Sequence, residues 1–182
     1  IAMNFYTTMT VEKPMDKNNM SEGISDQQSE DIMDWGFYKG VTNPYLKKNQ
    51  FNWTIDPDGF KTTLQTLYDR YHLPIIITEN GLGAKDDLTE DKKIHDPYRI
   101  DYLKQHLEQA LEAIKAGVDL FGYSPWSAID LISVHEGISK RYGFIYIDRT
   151  EKELKELRRY KKDSFYWYQK LIQTNKIPAE SR

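Results

Sequence analysis

A chain of 182 residues that is 39% hydrophobic can bury one core, and its 25 basic and 28 acidic residues are mixed along the sequence to a net charge of −3, which leaves no global field to attract nucleic acid or anionic lipid. No apolar run approaches the roughly eighteen residues that a membrane span needs, and no basic-then-apolar leader opens the chain. The absence of cysteine excludes disulfides and thiolate zinc sites, so the composition predicts a cytoplasmic protein with neither nucleic-acid nor membrane partners.

The chain begins with Ile1 on a strand-like stretch, Ile1–Tyr6, an opening expected of a fragment. From Thr7 to about Gln50 it is polar and too long for an ordinary connection, so it reads as a functional loop with short helical pieces or a partly mobile one. Asp56-Pro57 then supplies an N-cap and a proline at the first helical position. Phe60, Leu64, Leu67, Tyr68 and Tyr71 follow at helical spacing, predicting a helix of about fifteen residues. Ile75, Ile76 and Ile77, running to Thr78, read as a strand buried on both faces, and Asn80-Gly81 as the turn that ends it.

Asp96-Pro97 repeats the helix-start signal ahead of Ile100, Leu103, Leu107, Leu111 and Ile114, and Gly117 closes that helix. Val118–Tyr123 is the third strand and Tyr142–Ile147 a further one. A charged segment and an amphipathic helix carrying Phe165, Tyr168, Leu171 and Ile172 end the chain. Strands joined by helical crossovers make right-handed βαβ units and hence a parallel sheet. A closed barrel of this type needs eight strands and roughly 250 residues, so three strands before a terminal hairpin amount to less than half of one.

Five short runs, Asn4-Phe5-Tyr6-Thr7, Ile77-Thr78-Glu79-Asn80-Gly81, Tyr98–Leu103, Gly122–Trp126 and Lys140–Gly143, resemble in order and spacing the C-terminal part of glycoside hydrolase family 1, and within it the bacterial 6-phospho-β-glucosidases. The resemblance covers nearly the whole chain. It implies an α/β fold, the C-terminal part of a (β/α)8 TIM barrel with about three of the eight units plus a terminal hairpin and helix, and residues 1–182 as one incomplete catalytic domain. It implies no metal or organic cofactor.

By the same resemblance Glu79 is the nucleophile of a retaining glycosidase, placed at the C-terminal end of a strand where barrel enzymes keep their catalytic groups. Such a carboxylate must stay ionised, which a hydroxyl donor favours, and Tyr6 matches the family tyrosine that orients it. Asn4 matches a position beside the same site, and Trp126 one that lines the sugar pocket. From Trp126 the sequence runs through Ser133 to Lys140 and Tyr142 at the spacing with which phospho-glycosidases of the family hold a sugar 6-phosphate. Ordinary β-glucosidases carry a glutamate at the first of these positions, whose charge would repel phosphate, and usually a phenylalanine at the last. Val134 stands where the phospho-β-galactosidases carry tryptophan, which favours the gluco over the galacto configuration and leaves 6-phospho-β-galactosidase as the alternative.

Taken singly, each position has a structural reading as well. Glu79 could be a turn residue, Tyr6 and Trp126 core aromatics, and Lys140-Arg141 a solvated basic pair. His72, His95, His106 and His135 have no metal-ligand spacing and read as surface or packing residues. Asp119, Asp130 and Glu136 carry no catalytic motif, Asp130 reading as a buttress of its loop. The family's acid/base run, Thr-x-Asn-Glu-Pro, does not occur, so this polypeptide alone is expected to lack efficient hydrolysis. The remaining reading is a non-catalytic sugar-phosphate-binding fragment. Open sheet edges predict self-association or pairing with the missing N-terminal part of the barrel.

Overall fold

The computed structural model describes residues 1–13 and 38–178, in two compact units, Ile1–Tyr6 with Pro57–Arg182 and Thr7–Asp56. In chain order the strands and helices are β1 (Ala2–Phe5), β2 (Thr10–Glu12), β3 (Lys39–Val41), β4 (Lys47–Lys48), β5 (Thr54–Ile55), α1 (Pro57–Tyr71), β6 (Ile75–Asn80), α2 (Pro97–Lys115), β7 (Leu120–Pro125), β8 (Ile145–Ile147), β9 (Arg159–Lys161) and α3 (Asp163–Thr174).

The smaller unit is built from two antiparallel pairs, β2 with β3 and β4 with β5. Where the sequence predicts helical pieces or a mobile loop, the described residues form short strands held by side chains. Thr54 donates to the Thr8 carbonyl at 2.6 Å, and Asn49 accepts the backbone N–H groups of Phe51 and Trp53. The expectation for residues 14–37 lies outside the described residues.

The larger unit is a parallel sheet of order β1-β6-β7, each neighbouring pair joined through a helix. Parallel strands need such a crossover, and α1 and α2 supply it. Helix α1 begins at Pro57 and spans 15 residues as predicted, burying Phe60 and Leu64, while Tyr71 is half exposed and outside the core. Helix α2 begins at Pro97, but Asp96 makes no capping bond; its carboxylate accepts Arg99 Nε at 2.9 Å and the Ser164 hydroxyl at 2.6 Å instead. Gly117, at φ 103°, ends that helix by donating to the Ile114 carbonyl.

The core of this unit joins Phe5, Phe60, Leu64, Ile75, Ile77, Ala110, Ala113 and Val118. Ile75 and Ile77 are fully buried and Ile76 partly so, as expected of a strand covered on both faces. The third strand runs two residues later than the sequence suggests, because Val118 packs into the core from the turn before it. The strand expected at Tyr142–Ile147 shortens to β8, which pairs antiparallel with β9 as the terminal hairpin. Helix α3 buries Ser164 and Trp167 and leaves Ile172 exposed. In the sheet, β1 and β7 are edges, and the β7 edge presents Phe121, 64% exposed, near the partly exposed Leu111 and Ile114.

Candidate active site

The C-terminal end of β6 carries the first part of the site. Strict strand alternation would put Glu79 on the face of Ile75 and Ile77, in the core. Register shifts between Met3 and Asn4 on one side, and between Ile77 and Asn80 on the other, interrupt that alternation. Asn80 takes the buried position and Glu79 is only half-buried. Bulges of this kind re-aim side chains beside functional sites.

Tyr6, the residue after β1, donates its phenol hydroxyl to Glu79 Oε2 at 2.6 Å. Burial, the Glu79 hydrogen bond and the Glu79 charge all push the phenol pKa far above its ordinary value. The phenol therefore stays protonated and serves as a donor, which is what an ionised carboxylate needs. Asn4 lies opposite Glu79 in the β1–β6 register, and its Oδ1 accepts the Thr78 hydroxyl at 2.5 Å.

Asn80, expected as a turn residue, is a strand residue and a tie across the sheet. Its amide nitrogen donates to the Phe5 carbonyl at 2.7 Å and to the Tyr102 hydroxyl at 3.0 Å, and its Oδ1 accepts the Tyr123 hydroxyl at 2.5 Å. One side chain thus links β1, β7 and α2 next to Glu79. The Asn80 carbonyl also accepts the N–H of half-buried Trp126 at 2.8 Å. Gly81 is required there, since a Cβ would lie 1.9 Å from the Trp126 carbonyl oxygen.

Ser133, Lys140 and Tyr142 come together. Ser133 lies close enough to the Tyr142 phenol to lower its pKa, and the Lys140 ammonium lies 5.8 Å from the Tyr142 ring centroid. Burial pushes the Tyr142 phenol up to about 12, with the nearby Ser133 hydroxyl acting against it and the Glu136 charge adding to it. Gly83 gives the cluster room, because a Cβ there would stand 2.7 Å from Lys140 Cε and 3.0 Å from Tyr142 Cζ. Lys140 is not the solvated residue that a Lys-Arg pair suggests; it is 2% exposed. The cluster also meets the carboxylate end of the site, for the Tyr6 and Tyr142 rings pack edge to face with centroids 6.3 Å apart. Val134, by contrast, is 93% exposed.

The profile of the family described as glycosyl hydrolase family 1 matches residues 1–177. The chain belongs to glycosyl hydrolase family 1. It is 45% identical over 177 residues to the aryl-phospho-β-D-glucosidase BglA of Bacillus subtilis, a match covering 96% of this chain and 35% of that protein. It is 52% identical over 141 residues to a 6-phospho-β-glucosidase of Clostridium longisporum, covering 75% of this chain and 30% of the relative. Among solved structures, the family 1 β-glucosidase of Thermotoga maritima superposes with a TM-score of 0.79 at 33% identity, over 96% of this chain and 34% of that one. The chain thus spans about a third of the length of the curated relatives it matches, and its fold is the C-terminal part of the family's (β/α)8 barrel.

Behind the Lys140–Tyr142 segment, this family 1 chain holds a buried ionic network that its sequence did not reveal. Arg99 reaches both Asp86 oxygens, at 2.9 and 2.8 Å, and Asp96. Lys162 bonds to Asp86 and, at 2.7 Å, to Asp130, which accepts Arg141 Nη1 at 2.8 Å. Three acids thus balance three bases, all nearly inaccessible to solvent. Burial would raise the Asp86 carboxyl, but Arg99 and Lys162 outweigh it and hold the group below its ordinary value. The sequence signals were weak: Asp130 read as a buttress of its loop, and Lys162 falls within the charged segment before the last helix. No group of residues among those described could hold a metal ion, and no helix among them is long and apolar enough to cross a membrane.

Proposed function

We propose that the complete protein to which this chain corresponds hydrolyses 6-phospho-β-glucosides with retention of configuration, releasing glucose 6-phosphate. The observation that supports this reading best is the union of two groups in one compact unit. The Tyr6–Glu79 hydrogen bond lies one aromatic contact away from the Ser133, Lys140 and Tyr142 cluster. A sugar ring resting between them would offer its anomeric carbon to the carboxylate and its 6-phosphate to the cluster.

Glu79 is the nucleophile in this reading and attacks the anomeric carbon, forming a covalent glycosyl ester that water later cleaves. Tyr6 orients the attacking carboxylate through its hydrogen bond. Asn4 and Trp126 contact the sugar, Trp126 through its ring face. Ser133 and Tyr142 donate hydroxyl hydrogens to the phosphate and Lys140 contributes its charge, all in a setting where burial strengthens each interaction. Charge-assisted hydrogen bonds contribute roughly 1.5 to 3 kcal/mol each, so two effective ones discriminate against the plain sugar by about a hundredfold or more.

The relatives' names favour the gluco over the galacto configuration. Val134 adds little to that choice, since its side chain faces solvent in this chain. The acid that protonates the leaving oxygen would come from the rest of the barrel, pairing along the open edges of β1 and β7. A substrate carrying a dianionic phosphate crosses bilayers poorly, which suits a cytoplasmic enzyme.

Calorimetry on the purified chain tests the reading. Wild type should bind glucose 6-phosphate, Lys140→Ala should lose at least tenfold in affinity, and wild type alone should turn over an aryl 6-phospho-β-glucoside far more slowly than a whole enzyme. Equal binding by wild type and variant, or turnover at the level of a whole enzyme, would contradict it.

A further inference from the structure

Lys140 and Tyr142 flank Arg141, whose backbone makes an isolated antiparallel bridge with Ala84. The Arg141 guanidinium enters the buried network. Its Nη1 donates to Asp130 Oδ2 at 2.8 Å and to the Ile147 carbonyl at 2.9 Å, and its Nη2 to the Arg149 carbonyl at 2.8 Å. The Asp130 carboxylate does more than balance this charge. Its Oδ1 accepts the Gly143 N–H at 3.0 Å and the Lys162 ammonium at 2.7 Å, and its own backbone N–H donates to the Ile145 carbonyl at 2.9 Å.

Asp130 also lies on the loop between Trp126 and Ser133, so it joins the stretch that carries the serine to the stretch that carries the lysine and the phenol. The two stretches approach so closely that a Cβ at Gly143 would lie 2.2 Å from the Asp130 nitrogen. Backbone bonds from Ser127 to Tyr142 and from Phe144 back to Ser127 complete the seam. Within the network Asp86 bonds to Lys162 and Arg99, and Asp96 to Arg99, whereas Asp130 is the carboxylate that bonds to Arg141.

We infer that Asp130 is a positioning residue for phosphate recognition: through Arg141 and the Gly143 N–H it fixes the spacing between Ser133 and the Lys140–Tyr142 pair without touching the ligand. This rests on the phosphate reading of that cluster given above. Loss of the carboxylate would let the two stretches shift relative to one another, and three groups that must converge on one phosphate would no longer do so.

The test compares the full chain with its Asp130→Asn and Lys140→Ala variants, using calorimetry with glucose 6-phosphate and amide NMR spectra that report the core through Ile77 and Asn80. The expected result is wild-type core resonances in Asp130→Asn together with at least a tenfold loss of affinity for glucose 6-phosphate. A residue that matters only to stability would lower the melting temperature and leave that affinity unchanged. Core resonances retained with affinity within threefold of wild type would overturn the inference.

Should Asp130→Asn fail to fold, Arg141→Lys is judged by the same two criteria, since it keeps the charge while giving up the planar fork. If wild type binds no glucose 6-phosphate, or Lys140→Ala binds it as well as wild type, the phosphate reading falls and the role of Asp130 falls with it. Loss of affinity in Lys140→Ala but not in the network variants overturns the positioning role alone.

Discussion

Replacing Asn80 by alanine removes a side chain that hydrogen-bonds at once to β1, to the tyrosine of β7 and to the tyrosine of α2. Asn80 is wholly buried, so no water takes over its bonds. The Tyr102 hydroxyl keeps a second partner, the Tyr6 carbonyl at 3.3 Å, whereas the Phe5 carbonyl loses this donor and the Tyr123 hydroxyl its acceptor. Two buried polar groups left without these partners cost roughly 1 to 3 kcal/mol each, which gives about 4 kcal/mol for the variant. Against a typical stability of about 5 to 15 kcal/mol that is a large fraction.

Urea unfolding followed by tryptophan fluorescence measures the change. With a slope of about 1 to 3 kcal/mol per molar urea, the midpoint should fall by about 1 M or more. A shift equivalent to less than about 0.5 kcal/mol, the range of an ordinary surface substitution, would refute the reasoning, because it would mean that the three hydrogen bonds contribute nothing net.

Two further outcomes follow from the same packing. Gly81→Ala should lower the melting temperature and change the near-ultraviolet dichroism of tryptophan, since the added methyl meets the rigid Trp126 backbone at 1.9 Å and overpacking of this kind costs about 1 to 3 kcal/mol or more; an unchanged melt and spectrum would contradict the close approach. The pH dependence of unfolding isolates Asp86. Its folded carboxyl titrates below its unfolded value of 3.8, because Arg99 and Lys162 outweigh burial, so its stabilisation is complete above that value and is lost as pH falls from there through the folded one. Asp86→Asn should therefore show a shallower loss of stability below about pH 4 than wild type, and parallel acid limbs would rule the assignment out.

The helices and the parallel order of the sheet were legible because their signals are local. Proline at the first helical position marked the starts of α1 and α2, Gly117 the end of α2, and three isoleucines a strand covered on both sides. The place of Glu79 at the end of a buried strand was legible from the isoleucine run, but its pairing with Tyr6 only through resemblance, because no local pattern announces a bond between residues 73 positions apart. Strand pairings of two or three residues, as in β2 to β5, lie below the length at which alternation is detectable. Asp96 shows a different failure: an aspartate before proline is the usual capping signal, yet Arg99 and Ser164 claim its oxygens. Arg141 looked like surface, and nothing marked Arg99 or Lys162 as buried, because charge alone does not reveal a partner supplied by another segment.

The Tyr142 side chain has two separable halves. Its ring leans on Tyr6, and so on the partner of Glu79, while its oxygen faces Ser133. Phenylalanine at this place would preserve the first and delete the second. A change to a small aliphatic residue would disturb both halves together, losing the ring packing against Tyr6 and the oxygen near Ser133 at once.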